Sequence, residues 1–202
     1  MPIEYNHRHG GCAIICGAAP SVLSDLEKAR KLRPSAEIIG VKFASNIIPE
    51  IDHVWTQHGE LSLKIKQAIN RPIIIHARPR KYQNKGGGIW FLPTPDTAWQ
   101  AIDYVWPQLN WAVGSSGIAG ALWARHGMGF DEVIMAGIPL DPDNLGYAQG
   151  YGQQTKRYDN TFASAENVKH WLQLLKNHKV NGKTDKIYSM SGMTKEVLGA
   201  PC

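Results

Sequence analysis

Cys12-Ala13-Ile14-Ile15-Cys16-Gly17-Ala18-Ala19-Pro20-Ser21 is an apolar run that breaks abruptly into a turn of small residues. The run reads as a buried strand, and the change to Gly, Ala, Pro and Ser reads as a tight turn. Val22, Leu26, Ala29 and Leu32 follow at helical spacing. The turn therefore joins a strand to a helix start, the place where open α/β sheets hold phosphates. The first N–H groups of a helix lack intrahelical partners and carry the positive end of its dipole, so an anion is favoured there. Gly17 lets a backbone come close, Pro20 suits an early helical position, and the Ser21 hydroxyl can cap the helix or touch a phosphate. The turn has neither the G-x-G-x-x-G nor the Walker pattern, and a capped helix with no ligand is the competing reading.

Beyond this unit the pattern repeats. Glu37 to Phe43 reads as a second strand ending in Ala44-Ser45-Asn46, and Ile51 to His58 as a third. Leu61 to Ile69 reads as a helix, and Pro72 to His76 as a fourth, buried strand. Ile89 to Leu92 is a further strand candidate, and Asp96 starts a helix carrying Ala98, Ile102, Val105 and Trp106. Strands alternating with helices predict a mainly parallel sheet covered on both faces, a single Rossmann-like α/β domain over residues 1–202. Trp99, Trp106, Trp111 and Trp123 are read as core or helix–sheet packing rather than a base-stacking surface.

The bulk numbers fit that class. The 202 residues, 43% apolar and 19% charged, suit one domain with an ordinary core. No apolar run reaches bilayer length and the first residues are not of signal-peptide type, so a cytoplasmic protein without membrane contact is expected. Cys12 and Cys16 lie on one strand, roughly 13 Å apart at about 3.3 Å per residue, and cannot bridge each other or share a metal. The formal charge of +5 permits an anionic ligand without specifying one. Arg78, Arg80, Lys81 and Lys85 form a basic loop; nucleic-acid contact through it is considered but not favoured over a solvated loop. No feature of the sequence fixes an oligomeric state.

A second informative stretch runs from Asn110 to Asp141. Gly114-Ser115-Ser116-Gly117 opens a helix in which Gly117, Gly120, Ala121 and Ala124 permit close approach to a neighbour. Ser115 and Ser116 at its start make a second anion site or a plain cap. Glu132 to Ile138 reads as a strand, and Pro139-Leu140-Asp141-Pro142-Asp143 leaves its C-terminal end. The polar segment over 140–162, with Tyr147, Tyr151 and Tyr158, reads as a lid. A helix through Ala165, Val168, Trp171, Leu172 and Leu175, a last strand at Lys186 to Met190 and a short final helix complete the chain.

Three of these stretches together resemble the sialyltransferase-like superfamily: the strand into Gly17-Ala18-Ala19-Pro20-Ser21, the Gly114-Ser115-Ser116-Gly117 helix start, and the run from Gly129 to Asp141. That group includes bacterial sialyltransferases using CMP-sialic acid, archaeal hydroxymethylpterin diphosphokinases and short phage-encoded members. The similarity covers roughly residues 12–141. In the transferases the first turn reads Gly-Asn-Gly-Pro-Ser; here Gly17, Pro20 and Ser21 match, while Ala18 and Ala19 replace the polar Asn and the second Gly. The resemblance implies a nucleotide or nucleotide-sugar held by Gly17, Pro20, Ser21, Asn46, Ser115, Ser116, Gly117, Gly137, Asp141 and Tyr147. No further cofactor is firmly implied. The transferases' base is a His after the strand ending near Asp141, and Leu140 to Phe162 contains none. His58, at a strand end, is the candidate base, with His170 placed on a packing helix.

Two alternatives stay open. Asp141 and Asp143 at a strand end can hold Mg²⁺ against a diphosphate, which would make the chain a diphosphoryl transferase, although D-x-D is also an ordinary turn. The other is a non-catalytic nucleotide-binding or interaction module.

Overall fold

A computed structural model describes residues 7–69, 71–78, 96–106, 114–143, 146–149 and 164–202, with the backbone of residues 3–4. The elements run β1 (Ile3–Glu4), β2 (Cys12–Cys16), α1 (Val22–Leu32), β3 (Glu37–Val41), β4 (His53–Thr56), α2 (Ser62–Ala68), β5 (Ile74–Ala77), α3 (Asp96–Trp99), β6 (Tyr104–Val105), α4 (Ser116–His126), β7 (Glu132–Ala136), α5 (Ala165–Val180), β8 (Ile187–Ser189) and α6 (Gly192–Leu198). Two 3₁₀ turns, Lys42–Asn46 and Gly59–Leu61, follow β3 and β4.

The strands form one all-parallel sheet in the order β1-β6-β5-β4-β3-β2-β7-β8. The α/β reading of the sequence is thus the observed fold. β2 is central because its alternate side chains are apolar on both faces. Ile14 and Cys16 pack with Val22, Leu26 and Ala29 of α1 and Ile65 of α2. Ala13 and Ile15 pack on the opposite side with Ile118, Leu122 and Trp123 of α4 and Leu172 of α5. From β2 the chain walks one way through β3 to β6, then returns to place β7 on the other flank of β2. The direction of winding therefore reverses between β2 and β7, and the C-terminal edge at such a reversal is where open α/β sheets hold ligands.

Several boundaries differ from the sequence reading. The second strand stops at Val41 because Lys42 adopts φ +55° and turns the chain into a 3₁₀ helix. The helix expected through Val105 is only α3; Tyr104 and Val105 instead pair in parallel with His76 and Ala77. The Asp103 carboxylate accepts the Ile75 N–H at 2.8 Å and fixes that register. Ile3–Glu4 adds an edge strand on β6 that two residues could not announce. The strand candidate at 89–92 and Trp111 lie outside the described residues.

The tryptophans behave as packing groups. Trp123 and Trp55 are fully buried and stacked with centroids 4.9 Å apart, Trp106 meets Trp55 edge-on at 4.3 Å, and Trp99 is half-buried against the α1 side of the core. Among the described residues no helix is long and apolar enough to cross a membrane.

Candidate functional site

The reversal point is built by backbone approach. Gly17 N–H donates to Ala136 C=O at 2.8 Å and Ala19 N–H to Gly137 C=O at 3.1 Å, so the turn after β2 lies directly on the turn after β7. A Cβ at Gly17 would lie 2.3 Å from the Gly137 oxygen, which explains the glycine by contact alone. Gly137 adopts φ +64°, and a Cβ there would meet Val22 at 2.5 Å. Gly117, in the first turn of α4, faces the Ile138 side chain, where an added Cβ would come within 2.8 Å. Gly17 and Gly117 are therefore brought together around Ile138, the residue that follows Gly137.

The α4 start is held from β4. Ser115 is buried as N-cap, its hydroxyl accepting the Gly117 N–H at 3.2 Å. Its carbonyl accepts Gln57 Nε2 at 3.0 Å, while Ser116 C=O accepts Trp55 Nε1 at 3.1 Å. Gln57 and Trp55 thus fix the positive end of an eleven-residue helix at the sheet edge.

The start of α1 differs from expectation. Ser21 is its N-cap but makes no side-chain cap; its hydroxyl donates to the buried Asp25 carboxylate at 2.9 Å. The same Asp25 oxygen accepts Ser191 Oγ at 2.5 Å and Gly137 N–H at 3.0 Å. An internal carboxylate thus collects the Ser21, Ser191 and Gly137 donors beside the α1 N-terminus. The Ser21 hydroxyl points inward to it, and Pro20 is exposed at the turn.

His58 follows β4 and is half-buried. Its Nδ1 lies 2.9 Å from Glu60 Oε1. A carboxylate only accepts, so Nδ1 carries the proton and Nε2 is the basic nitrogen. The His58 backbone is tied as well, its N–H donating to Thr56 Oγ1 at 3.0 Å. Asn46 is exposed at the end of the first 3₁₀ turn, and His170 is exposed on α5. Lys42 begins the Lys42–Asn46 turn, and burial lowers its amine from 10.5 to about 8, partly offset by Glu60. Burial also pushes the Cys12 thiol up to about 12 and raises Cys16 further, so neither supplies a thiolate.

After β7, Leu140 takes φ +46°, and Asp141 Oδ1 accepts the Asp143 N–H at 3.0 Å, a local turn. Among the described residues no three His, Cys, Asp or Glu side chains gather as a metal-binding group. Of the expected lid, residues 144, 145 and 150–162 lie outside the described residues. Tyr147 is half-buried, and the next residue, Ala148, donates its N–H to Ala18 C=O at 2.7 Å, laying this strap across the β2 turn. Arg78 is half-buried at the end of β5; Arg80, Lys81 and Lys85 lie outside the described residues.

Sequence reasoning missed Asp25, Lys42, Gln57 and Glu60. Asp25 four residues after a capping serine, and Glu60 two residues after His58, were legible as spacings. Gln57 and Lys42 carried no local signal, because their roles depend on α4 and on the break in β3. Set beside protein-family models, curated proteins and solved structures, the chain matches none of them.

Proposed function

We propose that the chain binds a nucleotide or nucleotide-sugar at the C-terminal edge of its sheet. The observation that carries this reading is the convergence of Gly17 and Gly117 on Ile138, the residue that follows Gly137, which sets two backbone turns and a helix N-terminus at the point where the winding reverses. The small residues let both turns and the first turn of α4 pack closely around Ile138, and the α4 N-terminus favours a phosphate. Because Asp25 holds the Ser21 hydroxyl, the anionic end of the ligand belongs nearer Ser116 than Ser21. Asn46, Asp141 and Tyr147 stand on the loops rimming this edge and are the proposed contacts to the remainder of the nucleotide.

Glycosyl transfer is the reaction this arrangement suits. His58 Nε2 takes the proton of an acceptor hydroxyl while Glu60 holds the ring and stabilises the imidazolium. The acceptor oxygen bonds to the anomeric carbon as the bond from that carbon to the nucleotide phosphate oxygen breaks. The leaving phosphate departs against the helix N-terminus.

Thermal unfolding with CMP, CDP, UDP, ATP and nucleotide-sugars, each with and without Mg²⁺, tests the reading, since selective binding to the folded state raises the Tm. A metal-independent rise with a nucleotide or nucleotide-sugar, abolished in Ser116→Glu, supports it. A rise with ATP that requires Mg²⁺ would favour diphosphoryl transfer, and no rise with any of them would overturn nucleotide binding.

A further inference from the structure

β3 lies between β2 and β4, so the residue that leaves its C-terminal end stands between the Gly17 turn and the Gln57–Glu60 segment. That residue is Lys42. Its left-handed backbone, φ +55°, is one that a residue with a side chain resists, and such conformations collect at functional sites. The following Phe43, Ala44 and Ser45 are buried, which holds Lys42 in place as a half-buried side chain at the sheet edge.

Several other cations of the described residues have partners: Arg33 on Glu132 at 2.6 Å, Arg30 on Glu50 at 3.1 Å, Lys66 on Asp103 at 3.3 Å and Arg71 on Asp52 at 3.3 Å. The Lys42 side chain makes no hydrogen bond or ion pair with any described residue. Glu60 is the charged group whose field reaches it, and that carboxylate is engaged with His58 at 2.9 Å. A cation partly withdrawn from water gains most from a ligand that supplies its counter-charge.

The geometry points to Lys42 as an anion-recognition residue of this sheet edge, its ammonium taking a phosphoryl or carboxylate oxygen of the bound ligand. This rests on the reading of the sheet edge as a ligand site, and it adds a positive charge one strand away from the turn of the first motif. The left-handed turn and the lack of a side-chain partner among the described residues have the same explanation: the ammonium is kept for a bound anion.

The test uses the full chain as wild type, Lys42→Met and Lys42→Arg, titrated calorimetrically with inorganic pyrophosphate, malonate, CMP and UDP. Wild type should bind at least one of these anions, Lys42→Met about tenfold or more weakly, and Lys42→Arg should recover part of the loss. Preference for pyrophosphate over malonate identifies a phosphoryl group, and the reverse a carboxylate. In ε-¹³C-lysine spectra, the resonance missing from Lys42→Arg should titrate at higher pH once the anion is bound. If Lys42→Met binds every anion as wild type does, Lys42 is not the recognition residue, and the nucleotide reading survives when CMP or UDP is among those bound. If pyrophosphate or malonate binding depends on Lys42 but no nucleotide binds, Lys42 stands and the nucleotide reading falls. Failure of wild type to bind any of the four overturns both.

Discussion

The Asp25 carboxylate accepts the backbone N–H of Gly137 at 3.0 Å, tying the first turn of α1 to the end of β7 across the reversal point of the sheet. The same oxygen receives Ser21 and Ser191, so one buried side chain joins the β2, β7 and β8 exits. Asp25→Asn keeps the shape but replaces the charged oxygen that all three donors share with a neutral amide oxygen, which weakens each of the three bonds. We expect a loss of roughly 2–3 kcal/mol, read by urea unfolding, with Ser191→Ala costing less. An Asp25→Asn variant as stable as wild type would mean that the carboxylate does not organise this corner.

Gly137→Ala combines a left-handed backbone with a Cβ 2.5 Å from Val22. Gly182→Ala has the same sign of φ, +68°, with no atom within 4 Å of the added Cβ, and so isolates backbone strain. We expect about 1 kcal/mol for Gly182→Ala and about 3 kcal/mol or more for Gly137→Ala, measured as unfolding free energies. Equal losses would show that contact with α1 is not what requires the glycine.

Lys42 titrates at about 8 in the folded chain against an ordinary 10.5, so between these values the folded state binds fewer protons than the unfolded one. Stability should rise as pH climbs from 8 to 10.5, and the full cost of the buried ammonium is present below 8. Lys42→Met removes that cost, and allowing for partial exposure we expect it to be more stable at pH 7 by roughly 1–2 kcal/mol. Its Tm should also lack the alkaline rise. A less stable Lys42→Met variant, or one with an unchanged pH slope, would contradict this.

His53 Nδ1 and His76 Nε2 are 2.9 Å apart, and His76 is buried against Tyr104 and Trp123. Burial, then the neighbouring His53, pulls His76 from 6.5 to about 3, and burial lowers His53 as well. The unfolded chain takes up the proton first, so stability is unaffected above 6.5 and falls as pH drops from 6.5 toward 3. His76→Phe keeps the stacked ring and should lose roughly 2–3 kcal/mol less than wild type between pH 7 and pH 4. Thermal unfolding across that range reads the slope; identical slopes would assign the acid sensitivity to other groups.

The sheet was legible because its strands are short apolar runs closed by turn residues: Cys12–Cys16 stands at the boundaries that pattern implies, and the strand read from Glu132 to Ile138 starts at Glu132 but ends at Ala136. The pattern weakened where position depends on a partner strand. Val105 is apolar at helical spacing from Ile102, yet β5 recruits it into the sheet. The three glycines of the site were visible as motifs, since close backbone approach leaves glycine in the sequence. The electrostatics were not visible, because whether Ser21 faces a ligand or Asp25 is decided by a carboxylate that only the fold brings into reach.

The position of β2 also governs the order in which the molecule can be completed. Its β3 flank closes soon after it is made, but Cys12 must wait for Glu132, and Cys16 for Ala136, before the other flank closes. Until those residues emerge from the ribosome, the central strand is an open, wholly apolar edge, able to pair with another chain. A contact that forms late in synthesis is thus the one at the heart of the sheet. Folding should be slow for the chain's size, and truncation before β7 should yield aggregates rather than a smaller stable domain.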